Sequence, residues 1–136
     1  MKHPKGSYTM KTDIEHAFKL IPIHPEDYHK LGIKFNGKYY YDKTLPQGAG
    51  SACKIFERFS TSINAIHLHD VGPDSATHYL DDFFFICLSI LLALQHRNLF
   101  DQLCDDIGIP QAQNKKTEPS HITEYLGLQI YSKIGW

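Results

Sequence analysis

Two adjacent aspartates interrupt one of the most apolar stretches of this chain, Tyr79-Leu80-Asp81-Asp82-Phe83-Phe84-Phe85. The flanking residues read as two strands, Thr77 to Leu80 and Phe83 to Leu88, joined at Asp81-Asp82. Two carboxylates about 4 Å apart repel by roughly 4 kcal/mol at an effective dielectric of 20. A purely structural hairpin is better served by Asn-Gly or Asp-Gly at that point. A divalent cation removes the conflict, because hard cations take carboxylate oxygens and offset the repulsion. A solvent-exposed acidic turn is the alternative that these residues leave open.

A metal site needs a further carboxylate from elsewhere in the chain. Lys11-Thr12-Asp13-Ile14-Glu15-His16-Ala17-Phe18 supplies Asp13 at the end of a first strand, expected over Ser7 to Asp13. If that strand lies beside the Tyr79 hairpin, Asp13, Asp81 and Asp82 converge. Two metals about 3.5–4 Å apart clamp the attacking and leaving oxygens of an in-line phosphoryl displacement. Asp13 alone is only a strand-end aspartate; its meaning comes from the set.

The rest of the pattern supplies a frame for these three residues. A short helical turn is expected around Ile14 to Leu20, ended by Pro22. His24-Pro25-Glu26-Asp27 suits a turn or a single helical turn, with proline first and carboxylates near the positive end. Ile33 to Tyr41 reads as a β-hairpin on Asn36-Gly37. Leu45-Pro46-Gln47-Gly48-Ala49-Gly50 is a loop before a helix over about Ser51 to Leu68, and Asp70 to Ser75 with Gly72-Pro73 is a second loop. Another helix follows over Ser89 to Ile107, stopped by Gly108 and Pro110. One or two strands close the chain over Ile122 to Tyr131. The order describes an antiparallel sheet with helices on one face, an α+β architecture in a single domain of 136 residues.

Several function classes are set aside by composition. No apolar run reaches the roughly 18 residues of a membrane span. The N-terminal Met1-Lys2-His3-Pro4-Lys5-Gly6 has no apolar run of the kind a secretory leader needs. Cys53, Cys87 and Cys104 form no paired spacing, which fits a reducing, intracellular setting in cytoplasm or nucleus and thiols in the core or on a helix face. Residues 1–58 carry ten Lys/Arg against six Asp/Glu, and the remainder four against nine. A basic first half fits a phosphate backbone and an acidic second half fits a metal site, though unequal solvated faces give the same count. His67 and His69, with Asp70, lack a third ligand at metal spacing and are expected to be surface or partly buried histidines.

Taken in order, the motifs resemble a known family. Lys11 to Ile23 resembles motif A of the reverse-transcriptase palm, and Leu45-Pro46-Gln47-Gly48 with Ser51-Ala52 resembles motif B. Tyr79-Leu80-Asp81-Asp82 resembles motif C, Gly108-Ile109-Pro110 with Lys116-Thr117 motif D, and Tyr125-Leu126-Gly127 motif E. The wording is nearest to gypsy-like and DIRS-like retrotransposons. The resemblance implies a ferredoxin-like palm and an RNA-directed DNA polymerase that uses two magnesium ions, with manganese as an alternative. Its partners would be a primed RNA or DNA template and deoxynucleoside triphosphates, with no membrane involved. Asp13, Asp81 and Asp82 would be the catalytic metal ligands, joined by the Ile14 carbonyl. Phe18 would exclude a ribose 2′-OH, and Gln47, Gly48, Tyr79 and Lys116 would lie around the nucleotide. Lys115 competes with Lys116 for that place, and Tyr125, Leu126 and Gly127 would steady the primer. Without the resemblance, Phe18 reads equally as a core residue on a helical turn, and Lys116 as a solvated lysine.

The chain also departs from the family pattern. Cys53 stands where motif B usually has proline, and Leu88, Ile90, Leu91, Leu92 and Leu94 are apolar where relatives carry a polar turn. The match begins one strand before motif A and ends after motif E, so the fingers and thumb of a whole polymerase are expected to be largely missing. Affinity for nucleic acid comes largely from phosphate contacts, and a palm alone offers few. The alternative to an active fragment is therefore a truncated or domesticated transposon remnant, inactive and binding metal or nucleic acid weakly at most.

Overall fold

The computed structural model describes residues 4–72 and 75–134. In chain order the elements are strand β1 (Tyr8–Asp13), 3-10 turns over Ala17–Leu20 and Pro25–Leu31, and the hairpin β2 (Gly32–Phe35) and β3 (Lys38–Tyr41). Helix α1 (Ala52–Val71), the hairpin β4 (Ala76–Tyr79) and β5 (Asp82–Cys87), and helix α2 (Ile90–Asp106) follow. A 3-10 turn over Gln113–Lys115 and the hairpin β6 (Ile122–Tyr125) and β7 (Leu128–Tyr131) complete the chain. Met1 to His3 of the N-terminal segment, and Pro73 and Asp74 of the loop expected after α1, lie outside the described residues.

The central sheet has the order β1-β5-β4 and is antiparallel throughout. Strand period sorts β5 into two faces. Phe83, Phe85 and Cys87 enter the core beneath the helices, where Phe100 of α2 meets both phenylalanine rings at 4.9 and 5.2 Å. Phe84 points the other way and stacks on Tyr125 of β6 at 4.7 Å. Three consecutive phenylalanines are thus buried because β5 is covered on both faces.

Local chemistry explains where the helices stop and start. His16 has φ of +53°, so the chain leaves β1 through a left-handed residue. That delays the expected helical turn, which is a 3-10 turn beginning only at Ala17. Ser89 caps α2 by accepting from the Leu92 N–H at 3.2 Å. At the far end Gly108, at φ +72°, lets its own N–H reach the Asp105 carbonyl and the Ile109 N–H reach that of Cys104. Those two bonds are the Schellman ending.

The outer edge of β1 is covered without a regular strand. Thr9 exchanges both backbone hydrogen bonds with Ser120, the Thr117 N–H donates to the Lys11 carbonyl, and the Ala112 N–H to that of Asp13. Thr9 and Thr123 hydroxyls meet at 2.8 Å and tie β6 to the same edge. The hairpin of β2 and β3 turns at Asn36 and Gly37, φ +48° and +72°, and all eight of its strand residues are exposed. No helix of the described residues is long and apolar enough to cross a membrane.

Candidate active site

The register of β1 against β5 places Asp13 directly opposite Asp82. By alternation both side chains lie on the face of Phe84, away from the helices. Asp81 comes next to them from the turn: its carbonyl accepts the Ile14 N–H at 3.0 Å. The turn itself differs from the expected one by a residue. Tyr79 pairs with Asp82, so the two connecting residues are Leu80 and Asp81, and Asp82 is already strand. Leu80 has φ of +53°, a left-handed conformation that side chains other than glycine, asparagine and aspartate rarely adopt.

Asp13 and Asp81 open into one cleft of about 590 Å³. Its wall also includes Ile14, Phe18, Gln47, Gly48, Cys53 and Lys115. Gly48 has φ of +94° and open space where a Cβ would stand, so the loop before α1 brings bare backbone to the cleft. Phe18 is only part exposed and leans on Phe56 of α1, with ring centroids 5.2 Å apart. One side of the ring packs on the core, and the residue also lines the cleft.

Electrostatics at this point are those of crowded carboxylates. Asp13 is 5% exposed, and its Oδ2 accepts from the Lys115 Nζ at 3.0 Å. Burial raises the Asp82 carboxyl to about 6, helped by its hydrogen bond to Asp13 and by the charges of Asp13 and Asp81. Burial likewise raises Asp81, with Asp13 adding to it. Lys115 is held above its ordinary value by its hydrogen bond and ion pair with Asp13. Crowded carboxylates, with the Lys115 ammonium already drawn to one of them, are a donor set suited to a hard divalent ion.

Among the described residues no three acidic, histidine or cysteine side chains stand close enough together to form a ready-made metal cage. The arrangement fits magnesium nonetheless, because that ion uses one or two carboxylates and completes its shell with water and substrate phosphates. Asp13 and Asp81 are the two aspartates on the cleft wall, and Asp82 faces Asp13 but lies outside that wall.

Other residues singled out in the sequence fall elsewhere. Lys116 points away from the cleft to Asp101 of α2, which also holds Gln111, itself bonded to Thr12. The lysine beside the carboxylates is Lys115. Tyr79 is exposed at the end of β4, away from the cleft wall. Tyr125 packs behind the site, and its hydroxyl donates to the Asp82 carbonyl at 3.1 Å. Burial first, then the charges of Asp82 and Glu57, push that phenol up to about 12, so it stays a donor. Leu126 and Gly127, φ +50° and +75°, form the two-residue turn between β6 and β7.

His67 corrects an expectation. It is 1% exposed, fully rather than partly buried, while nearby His69 is exposed and pairs with Asp70 at 3.1 Å. Cys87 and Cys104 are buried thiols pushed up to about 11 and about 12 by burial, consistent with packing roles. Cys53 is exposed. Glu57 was not foreseen: it accepts the Leu80 N–H at 3.2 Å and faces His78 Nε2 at 3.2 Å. No local pattern marks a helix carboxylate for a partner that lies 23 residues on.

The sheet ends in carboxylates beside a glycine loop, and sequence comparison supplies the family. A family model described as reverse transcriptase (RNA-dependent DNA polymerase) matches residues 1–130, and the chain belongs to that family. It is 27% identical over 137 residues to Protein P of Duck hepatitis B virus (strain China), covering 96% of this chain and 17% of that protein. To the Pro-Pol polyprotein of Feline foamy virus it is 26% identical over 126 residues, covering 93% of this chain and 10% of that protein. The chain thus spans less than a fifth of the length of these curated relatives. A foamy viral protease-reverse transcriptase solved in complex with double-stranded DNA superposes with a TM-score of 0.84 at 18% identity. That match covers 98% of this chain and 22% of the other. A second structure, of the foamy viral enzyme with an RNA/DNA hybrid, gives a TM-score of 0.77 at 18% identity, covering 92% of this chain and 16% of the other. The fold is that of a reverse-transcriptase palm.

Proposed function

We propose that the cleft is the nucleotidyl-transfer site of an RNA-directed DNA polymerase, working on a primed RNA or DNA template with deoxynucleoside triphosphates. The observation that carries this reading is the opening of Asp13 and Asp81 into one cleft with Gln47, Gly48 and Phe18. Two divalent ions, magnesium or manganese, supply when bound a Lewis-acid clamp on the attacking and leaving oxygens. The Asp13 and Asp81 carboxylates and the Ile14 carbonyl would hold them, with Asp82 beside. The backbone at Gly48 and the Gln47 side chain lie against the nucleotide. The Phe18 ring, braced by Phe56, fills the space that a 2′-OH needs. Lys115, rather than Lys116, takes the place near the triphosphate and gives a proton to departing pyrophosphate. The Tyr125 to Gly127 turn steadies the primer end from behind Asp82. The narrower likeness to gypsy-like or DIRS-like elements belongs to this same proposal, the relatives above being viral.

Primer extension on a poly(rA) template tests the reading, with the chain joined to the remaining polymerase regions of a relative. Incorporation of dTTP is expected, with loss of at least a hundredfold on Asp81→Asn. Equal incorporation by the Asp81→Asn protein would remove the proposed role of the cleft.

A further inference from the structure

We infer that Glu57 is a positioning residue for the carboxylate cleft, holding the Asp81 turn in place through the Leu80 amide. This inference rests on the proposed metal-binding role of Asp81. The turn carries a physical conflict: Leu80 sits at φ +53°, where its Cβ is crowded, yet it orients the aspartate that follows it. Something outside the hairpin must hold that conformation. The structure offers two anchors. On the β1 side, the Ile14 N–H donates to the Asp81 carbonyl at 3.0 Å. On the α1 side, Glu57 Oε2 accepts the Leu80 N–H at 3.2 Å.

Glu57 is itself held. Its Oε1 lies 3.2 Å from His78 Nε2, and the His78 ring is stacked on Phe83 at 5.5 Å. The Glu57 carboxylate thus stands within ion-pair reach of the His78 ring. The same nitrogen stands 3.3 Å from the Thr61 hydroxyl one helical turn further along α1. His78 is in β4 and Glu57 in α1, so one carboxylate clips the strand and its turn to the helix. The preceding residue on α1, Phe56, braces Phe18, and the loop that enters the helix carries Gln47 and Gly48. A single helix therefore sets both the nucleotide-facing wall and, through Glu57, the position of Asp81.

The test compares Glu57→Ala, Glu57→Gln and the double variant Glu57→Ala/Leu80→Gly in the full chain. Glu57 has a half-exposed side chain on a helix, and alanine keeps that helix well formed. Two quantities are read: hydrogen exchange of the Leu80 amide by NMR, and Mn2+ affinity by electron paramagnetic resonance. Glu57→Ala should speed Leu80 exchange and weaken Mn2+ binding about tenfold. Glu57→Gln keeps an acceptor oxygen and should stay within about twofold of the parent in both. Leu80→Gly should recover much of the lost affinity, because glycine takes a positive φ without strain. The inference is overturned if Glu57→Ala leaves the Leu80 amide protected and Mn2+ binding unchanged. If the parent chain binds no Mn2+, the metal reading fails instead, and the exchange data still decide whether Glu57 holds the turn.

Discussion

Replacing His67 by phenylalanine should change how the stability of this chain depends on pH, by an amount that follows from its surroundings. The ring is 1% exposed, edge-on to Phe85 and Phe100 at 5.3 and 5.4 Å, and its Nε2 has no hydrogen-bond partner among the described residues. Burial, reinforced by the nearby His96, lowers its pKa from 6.5 to about 4. The neutral ring is thus the folded form, and the unfolded chain takes up the proton first as pH falls. Stability is lost from about pH 6.5 down to the folded value near 4, and linkage makes that loss roughly 2 kcal/mol between pH 7 and pH 4.5. His96, also lowered by burial, acts in the same direction. Asp81 and Asp82 act oppositely: their raised values mean that folding gains as they protonate. The total curve therefore mixes both signs, and the difference between parent and His67→Phe is the quantity to measure. Urea unfolding at pH 7 and pH 4.5 should show the variant gaining roughly 2 kcal/mol on the parent as pH drops. A difference that stays constant between the two pH values would refute the buried, neutral histidine.

Lys116→Ala should lower the unfolding free energy by about 1–2 kcal/mol, since it strips Asp101 of its ammonium partner in a part-buried network; urea denaturation showing no change would contradict that. Phe84→Ala should cost about 3–5 kcal/mol, because the ring is fully enclosed between the sheet and Tyr125. A thermal melt within a few degrees of the parent would mean that β6 does not cover this face.

Legibility in the sequence followed the range of the interaction. The Asn36-Gly37 hairpin and the glycine ending of α2 were readable because each is decided by residues a few positions apart. So was the pairing of β1 with the Tyr79 hairpin, once motif order joined the carboxylates into one set. The Leu80 turn was not readable: local preference puts glycine at a positive φ, and the contact that holds leucine there comes from α1. His67 could have been found. Phe56, Ser60, Ile63 and His67 recur at helical spacing and all four are buried, so the stripe itself pointed inward. The choice between Lys115 and Lys116 had no sequence signal at all, two identical side chains standing next to each other.

That choice is made by the irregular strip laid along β1. Anchored at Ala112 on one side and Thr117 on the other, it meters the chain so that one ammonium arrives at Asp13 and the next at Asp101. Deleting a single residue at Gln113 or Asn114 would leave the lysine count untouched and yet shift which of them reaches the carboxylates. Here spacing carries the information that residue identity lacks, and an alignment that scores only matched letters would pass over it.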